Sequence, residues 1–129
     1  MLKQLFLILA AAVCIVSANT VIPVTCGSTK YAVAAINRNL AAGSSLLQQG
    51  KTVSTGKALF PHKYNRGDGL TLSGCTGQLY EYPLIKGNSA FGAGDKVGPD
   101  RVLFDQTGVY CASITHTGAP TTNGFLLCK

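Results

Sequence analysis

An α+β fold, one helix packed on one face of an antiparallel sheet, is predicted by three features of this 129-residue chain. Residues 31–50 carry the one clear helical pattern: Val33, Ile36, Leu40 and Leu47 recur at helical spacing, and Gly50 is placed to end it. Short runs at 61–64, 78–85, 100–105, 108–116 and 124–128 follow, separated by Gly-rich turns that read as strand boundaries. A helix with a single apolar stripe, followed by consecutive strands, needs a sheet to cover that stripe.

The amino terminus reads as a leader. Lys3 precedes an unbroken apolar stretch from Leu5 to Val16 and the small-residue site Val16, Ser17, Ala18, the pattern of a signal peptide over residues 1–18. The stretch is short for a bilayer span, and no later segment approaches about 20 apolar residues, so an extracellular product without membrane association is expected. Cleavage after Ala18 leaves one domain, 19–129, of 111 residues, enough for a single hydrophobic core.

Of five cysteines, Cys14 falls in the leader and Cys26, Cys75, Cys111 and Cys128 remain. An even count in a small exported chain argues for two disulfides. Metal ligation is the weaker reading, because no CxxC or HxxxH pair exists and the thiols lie far apart. A Cys26–Cys128 bridge would tie the two ends together and add roughly 2–5 kcal/mol, but three connectivities are open at this level. Without Lys3, ten basic side chains face five acidic ones, a net charge of +5 that favours approach to a polyanion.

Strand alternation narrows the chemistry. In 78–85, Tyr80, Tyr82 and Leu84 share one face and Glu81 takes the other; in 100–105, Val102 and Phe104 oppose Arg101; and His116 ends 108–116 on the face away from Val109 and Cys111. If the first set packs on the helix, Glu81, Arg101 and His116 converge on the opposite face. Leu103 and Ile114 share that face with them. The chain has only two histidines, His62 and His116. A lone histidine or strand glutamate is more often structural than catalytic. Together, two imidazoles, a carboxylate and a guanidinium are what acid–base cleavage of an RNA phosphodiester requires. The 2′-hydroxyl must lose a proton, the leaving 5′-oxygen must gain one, and the extra charge on phosphorus must be stabilised, with no metal needed.

The segments FPHKYN at 60–65, LYEYP at 79–83, PDRVLF at 99–104 and ITHTGAP at 114–120 together resemble the fungal guanyl-specific ribonuclease family. The resemblance extends to TCGS at 25–28, AAG at 41–43, GKTV at 50–53 and the terminal Phe125 to Cys128, essentially the whole of 19–129. It implies the microbial ribonuclease fold, with a curved sheet, and a monomer that cuts single-stranded RNA after guanosine without a cofactor. By the same resemblance Glu81 is the general base, His116 the general acid, His62 a partner of Glu81 and the phosphate, and Arg101 the stabiliser of the transition state. Phe125 matches the aromatic lining the phosphate site. Cys26–Cys128 matches the family's long bridge, which leaves Cys75 with Cys111. The family's short amino-terminal bridge is absent, Ile22 and Lys30 standing in its places.

Departures concern the base more than the reaction. Phe60 replaces a tyrosine whose hydroxyl contacts phosphate, so some loss of rate is expected. In the base-recognition segment YNRGDG, Tyr64 and Asn65 match, Arg66 replaces an asparagine, Gly67 an aromatic lid, and Asp68 a longer glutamate; Asn123 approximates a further base contact. A missing stacking platform weakens base affinity by about 1–3 kcal/mol. The alternative is a ribonuclease-like effector that binds RNA or a host target with weak or no catalysis. A ribosome-attacking toxin ranks lower, since 111 residues leave little room for the long basic loops such toxins use.

Overall fold

The computed structural model describes residues 19–129; the expected signal peptide lies outside the described residues. The elements are β1 (Val24–Cys26), β2 (Thr29–Tyr31), α1 (Val33–Gln48), β3 (Val53–Ser54), β4 (Leu59–Phe60), β5 (His62–Tyr64), β6 (Leu79–Pro83), β7 (Asp100–Asp105), β8 (Tyr110–Thr115) and β9 (Leu126–Leu127). Strands β5 to β9 form one antiparallel sheet in sequence order. Two short hairpins, β1–β2 and β3–β4, stand outside it and were not expected from the sequence. Strands this short carry no readable alternation. The five sheet strands fall within the expected runs: β7 matches its run of 100–105, the other four are shorter, and His116 lies one residue beyond β8.

The helix ends as its sequence suggests, with Gly50 at φ +64°, a conformation that glycine adopts without steric cost. Ile36 is fully buried, while Leu40 and Leu47 are only partly so. The deepest helix contacts are polar and small. Asn39 donates from Nδ2 to the carbonyls of Ala35 (2.8 Å) and Ile85 (3.1 Å) and accepts from the Phe91 amide (2.8 Å), tying the helix to the chain after β6. Gly43 lies against the sheet. A Cβ there would come within 2.7 Å of Tyr82 Cβ and 3.1 Å of Phe104 Cζ. Gly43→Ala is therefore expected to lower the denaturation midpoint: overpacking of about 1–3 kcal/mol outweighs a helix-propensity gain of about 1 kcal/mol. An unchanged or higher midpoint would show that the sheet gives way.

The helix side of the sheet is the main core, built on Tyr82, Leu84, Val102, Phe104, Ile36 and Phe60. The other side is not open throughout. Leu79, Leu103 and Ile114, with Tyr64, Cys111 and Phe125, form a second apolar cluster, onto which Leu70, Leu72 and Cys75 of the β5–β6 loop fold. This accounts for the apolar residues that share a face with Arg101. It also corrects one expectation, that Cys111 faces away from His116. The β7–β8 register shifts at Leu103/Phe104, so that Phe104 pairs Tyr110 and Leu103 pairs Ala112. Cys111 is the extra residue of this bulge and packs in the second cluster.

Both disulfides form, Cys26–Cys128 and Cys75–Cys111. The first is reinforced by backbone bonds in both directions between Thr25 and Lys129. The second fastens the β5–β6 loop to β8. Among the described residues the fold is thus one helix on an antiparallel sheet with two disulfides.

Candidate active site

The register brings the charged residues together. His62 on β5 pairs directly with Glu81 on β6; Glu81 pairs with Leu103, and Arg101 lies two residues from Leu103 on β7, diagonally beside Glu81. Arg101 pairs with Ile114, and His116 follows two residues later. Side chains alternate along each strand, so all four share one face at the end not covered by the β5–β6 loop. They line a cleft of about 580 Å³.

Glu81 is the centre of this group. Its Oε1 lies 3.3 Å from His62 Nε2 and 3.4 Å from Arg101 Nε, and its side chain is 8% exposed. Burial pushes its pKa above the ordinary value, and the charges of His62, Arg101 and His116 pull it back only in part. His62 is half-exposed, and its Nδ1 faces the Lys63 carbonyl at 3.0 Å. Both ring nitrogens therefore face acceptors, and a doubly protonated ring can donate to each.

Arg101 is fixed by its surroundings. Its Nη1 donates to the carbonyls of Gly98 (2.5 Å) and Asp100 (2.9 Å), and its guanidinium lies 5.2 Å from the centre of the Phe60 ring. Burial lowers its pKa, while Glu81 holds it up; an arginine keeps its charge under such a shift. Its Nε is buried without an aligned hydrogen-bond acceptor, because the approach to Glu81 is close but poorly directed. The base of β7 is itself anchored by Tyr31, whose hydroxyl donates to buried Asp100 at 2.6 Å.

His116 is oriented from two sides. Its Nδ1 lies 2.7 Å from the Gly124 carbonyl, so that nitrogen carries the hydrogen and Nε2 remains for other partners. Its ring stacks on Phe125 at 3.8 Å between centres. Phe60 does similar work beneath His62, at 4.7 Å.

The other residues singled out from the sequence divide clearly. Phe60, Tyr64, Asn65, Asp68, Asn123 and Phe125 line the same cleft. Arg66 does not. At φ +31° its side chain turns back along the loop, and Nη2 donates to the carbonyls of Gly77 (2.9 Å) and Cys75 (3.3 Å). Asp68 is engaged within the cleft: both carboxylate oxygens lie within reach of the Tyr64 hydroxyl, at 2.6 and 2.7 Å. Burial and this carboxylate push the Tyr64 pKa up. Lys63, Ala58, Thr121 and Gly124 also line the cleft and were not anticipated. Lys63 stands inside a quoted motif and was legible. The Gly124 carbonyl was not, because a backbone acceptor leaves no mark in the residue type.

The arrangement combines a buried carboxylate, two imidazoles and a fixed guanidinium in one cleft, a set able to move two protons and stabilise an anion. A family model described as ribonuclease matches residues 19–129. The chain is 38% identical over 110 residues to guanyl-specific ribonuclease U1 of Ustilago sphaerogena, covering 84% of this chain and 96% of that one. It is 36% identical over 104 residues to guanyl-specific ribonuclease Ap1 of Aspergillus pallidus, covering 81% and 95%. Among solved structures, a ribonuclease from Hericium erinaceus superposes with a TM-score of 0.57 at 27% identity, over 83% of this chain and 98% of that one. On its matched length, its identity to these relatives and its fold, the chain belongs to the fungal guanyl-specific ribonuclease family.

Proposed function

We propose that the protein is an exported, monomeric endoribonuclease that cuts single-stranded RNA on the 3′ side of guanosine through a 2′,3′-cyclic phosphate, without a cofactor. The convergence of Glu81, Arg101, His62 and His116 in one cleft, in a chain of a ribonuclease family, carries the reading. Two disulfides support export to an oxidising compartment.

In this mechanism Glu81 takes the proton of the 2′-hydroxyl as its oxygen bonds to phosphorus. His116 gives a proton from Nε2 to the 5′-oxygen as the bond from phosphorus to that oxygen breaks. Arg101 lines the cleft, and its guanidinium faces the charge that builds on the phosphoryl oxygens. His62, beside Glu81, shares in holding the base and the phosphate. Hydrolysis of the cyclic product reverses the acid and base roles. Base selection falls to Tyr64, Asn65, Asp68 and Asn123, with Asp68 exchanging its Tyr64 partner for donors on the base edge. Phe125 steadies the phosphate end through His116.

Glu81→Gln is expected to lower kcat/KM on RNA about a hundredfold while the circular dichroism spectrum stays native; full activity would refute the role of Glu81. Because Glu81 acts only when ionised and burial raises its pKa, the acid limb of the wild-type pH profile should lie above the ordinary carboxylate range. The linked stability has the opposite slope. The folded chain holds this proton more tightly than the unfolded one, so the stabilisation is complete below the ordinary carboxylate range and is lost as pH rises through the raised value. Relative to Glu81→Gln, the wild type should lose stability across that window, as thermal melts at stepped pH can follow.

A further inference from the structure

Fourteen residues, 65–78, separate β5 from β6 without helix or strand, an unusual length for an ordered connection. Its first arm carries Asn65, Gly67 and Asp68 into the cleft; none of the second arm, 72–78, lines it. Three ties hold the arms. Arg66 bridges from the first arm to the carbonyls of Cys75 and Gly77 in the second. The Cys75–Cys111 disulfide fastens the second arm to β8. Asn19, distant in sequence, donates from one amide nitrogen to the carbonyls of Ser73 and Cys111, both at 2.9 Å, spanning the same joint.

We infer that Arg66 and Asn19 are positioning residues for base selection: together with the Cys75–Cys111 bridge they hold the first arm so that Asp68 meets the base edge. This rests on the ribonuclease reading above and extends it to residues that do not touch the substrate. Position matters more here than in a loop with a long acid and an aromatic lid. Asp68 is a short side chain flanked by Gly67 and Gly69, the latter at φ +71°, so once its carboxylate leaves the Tyr64 hydroxyl its reach toward the base is set by the backbone. Arg66 is two residues from Asp68 and is the side-chain tie that joins this backbone to the anchored arm. Both bonds leave Nη2 of one rigid, planar guanidinium, whose reach and direction the flexible stem and point charge of lysine do not reproduce.

The test compares the wild type with Arg66→Ala, Arg66→Lys and Asn19→Ala on the dinucleoside phosphates GpC and ApC. For all three variants the GpC-to-ApC ratio of kcat/KM should fall about three- to tenfold, through a raised KM for GpC with kcat within about twofold, while the melting temperature changes by only a few degrees. Titration with guanosine 2′-monophosphate against adenosine 2′-monophosphate should show the same loss of preference without turnover. An unchanged ratio in a variant removes that residue from the assignment. Wild-type behaviour in Arg66→Lys beside a defect in Arg66→Ala overturns it in favour of a charge contact with RNA, and an equal kcat loss on both substrates overturns it in favour of general damage. A wild type that cuts both dinucleotides equally refutes this inference and the guanosine preference but leaves RNA cleavage standing; a wild type that cuts neither refutes the ribonuclease reading with it.

Discussion

Replacing His116 with alanine is expected to slow RNA cleavage by between about 10² and 10⁴, the range over which a positioned general acid contributes. The ring is held by the Gly124 carbonyl on Nδ1 and by stacking on Phe125, so its contribution is that of a ring whose Nε2 is already oriented. It lies beyond the end of β8, and its removal leaves the sheet ladder intact. The decisive comparison is with a guanosine 3′-aryl phosphate, whose leaving group departs without a proton. There the variant should approach the wild-type rate. An equal loss on RNA and on the aryl ester would place His116 in binding or structure instead.

Arg101→Lys is expected to cost between about 10² and 10³ in kcat, comparable to the loss of a positioned donor to a developing oxyanion. Charge is retained, so the loss isolates geometry. The guanidinium is locked by the carbonyls of Gly98 and Asp100 and by the Phe60 ring, and presents Nε beside Glu81. An ammonium cannot meet those acceptors and offer a fixed donor at once. Stopped-flow or initial-rate kinetics with a dinucleoside phosphate would check this; a rate within about threefold of the wild type would show that charge alone suffices.

How much was legible in the sequence follows from where period-two alternation is strict. Glu81 and Arg101 lie on strands whose register runs unbroken past them, and counting residues placed both on one face with His116. The disulfides, implied by the family resemblance, are the ones observed. Counting fails at the β8 bulge. One inserted residue sends Cys111 to the cleft side of the sheet, and only the register reveals it.

Other features were hidden for different physical reasons. Asn39 reads as a polar interruption of the helix stripe, yet it is buried because its amide satisfies three backbone groups at once. The hairpins β1–β2 and β3–β4 have strands of two or three residues, too short for a pattern. The second apolar cluster depends on how the β5–β6 loop folds back, which no local period encodes. Arg66 was expected at the substrate because its neighbours in the segment are there; its long side chain instead reaches carbonyls nine and eleven residues away.

The central claim, that this cleft cleaves RNA by internal transesterification, is tested most directly by ³¹P NMR of a short mixed RNA digested with the wild type and with Glu81→Gln, followed by sequencing of the fragment ends. The wild type is expected to yield 2′,3′-cyclic phosphate ends preceded mainly by guanosine, and Glu81→Gln to yield them about a hundredfold more slowly. Fragments with 5′-phosphate ends, or cyclic ends formed as fast by Glu81→Gln as by the wild type, would contradict it.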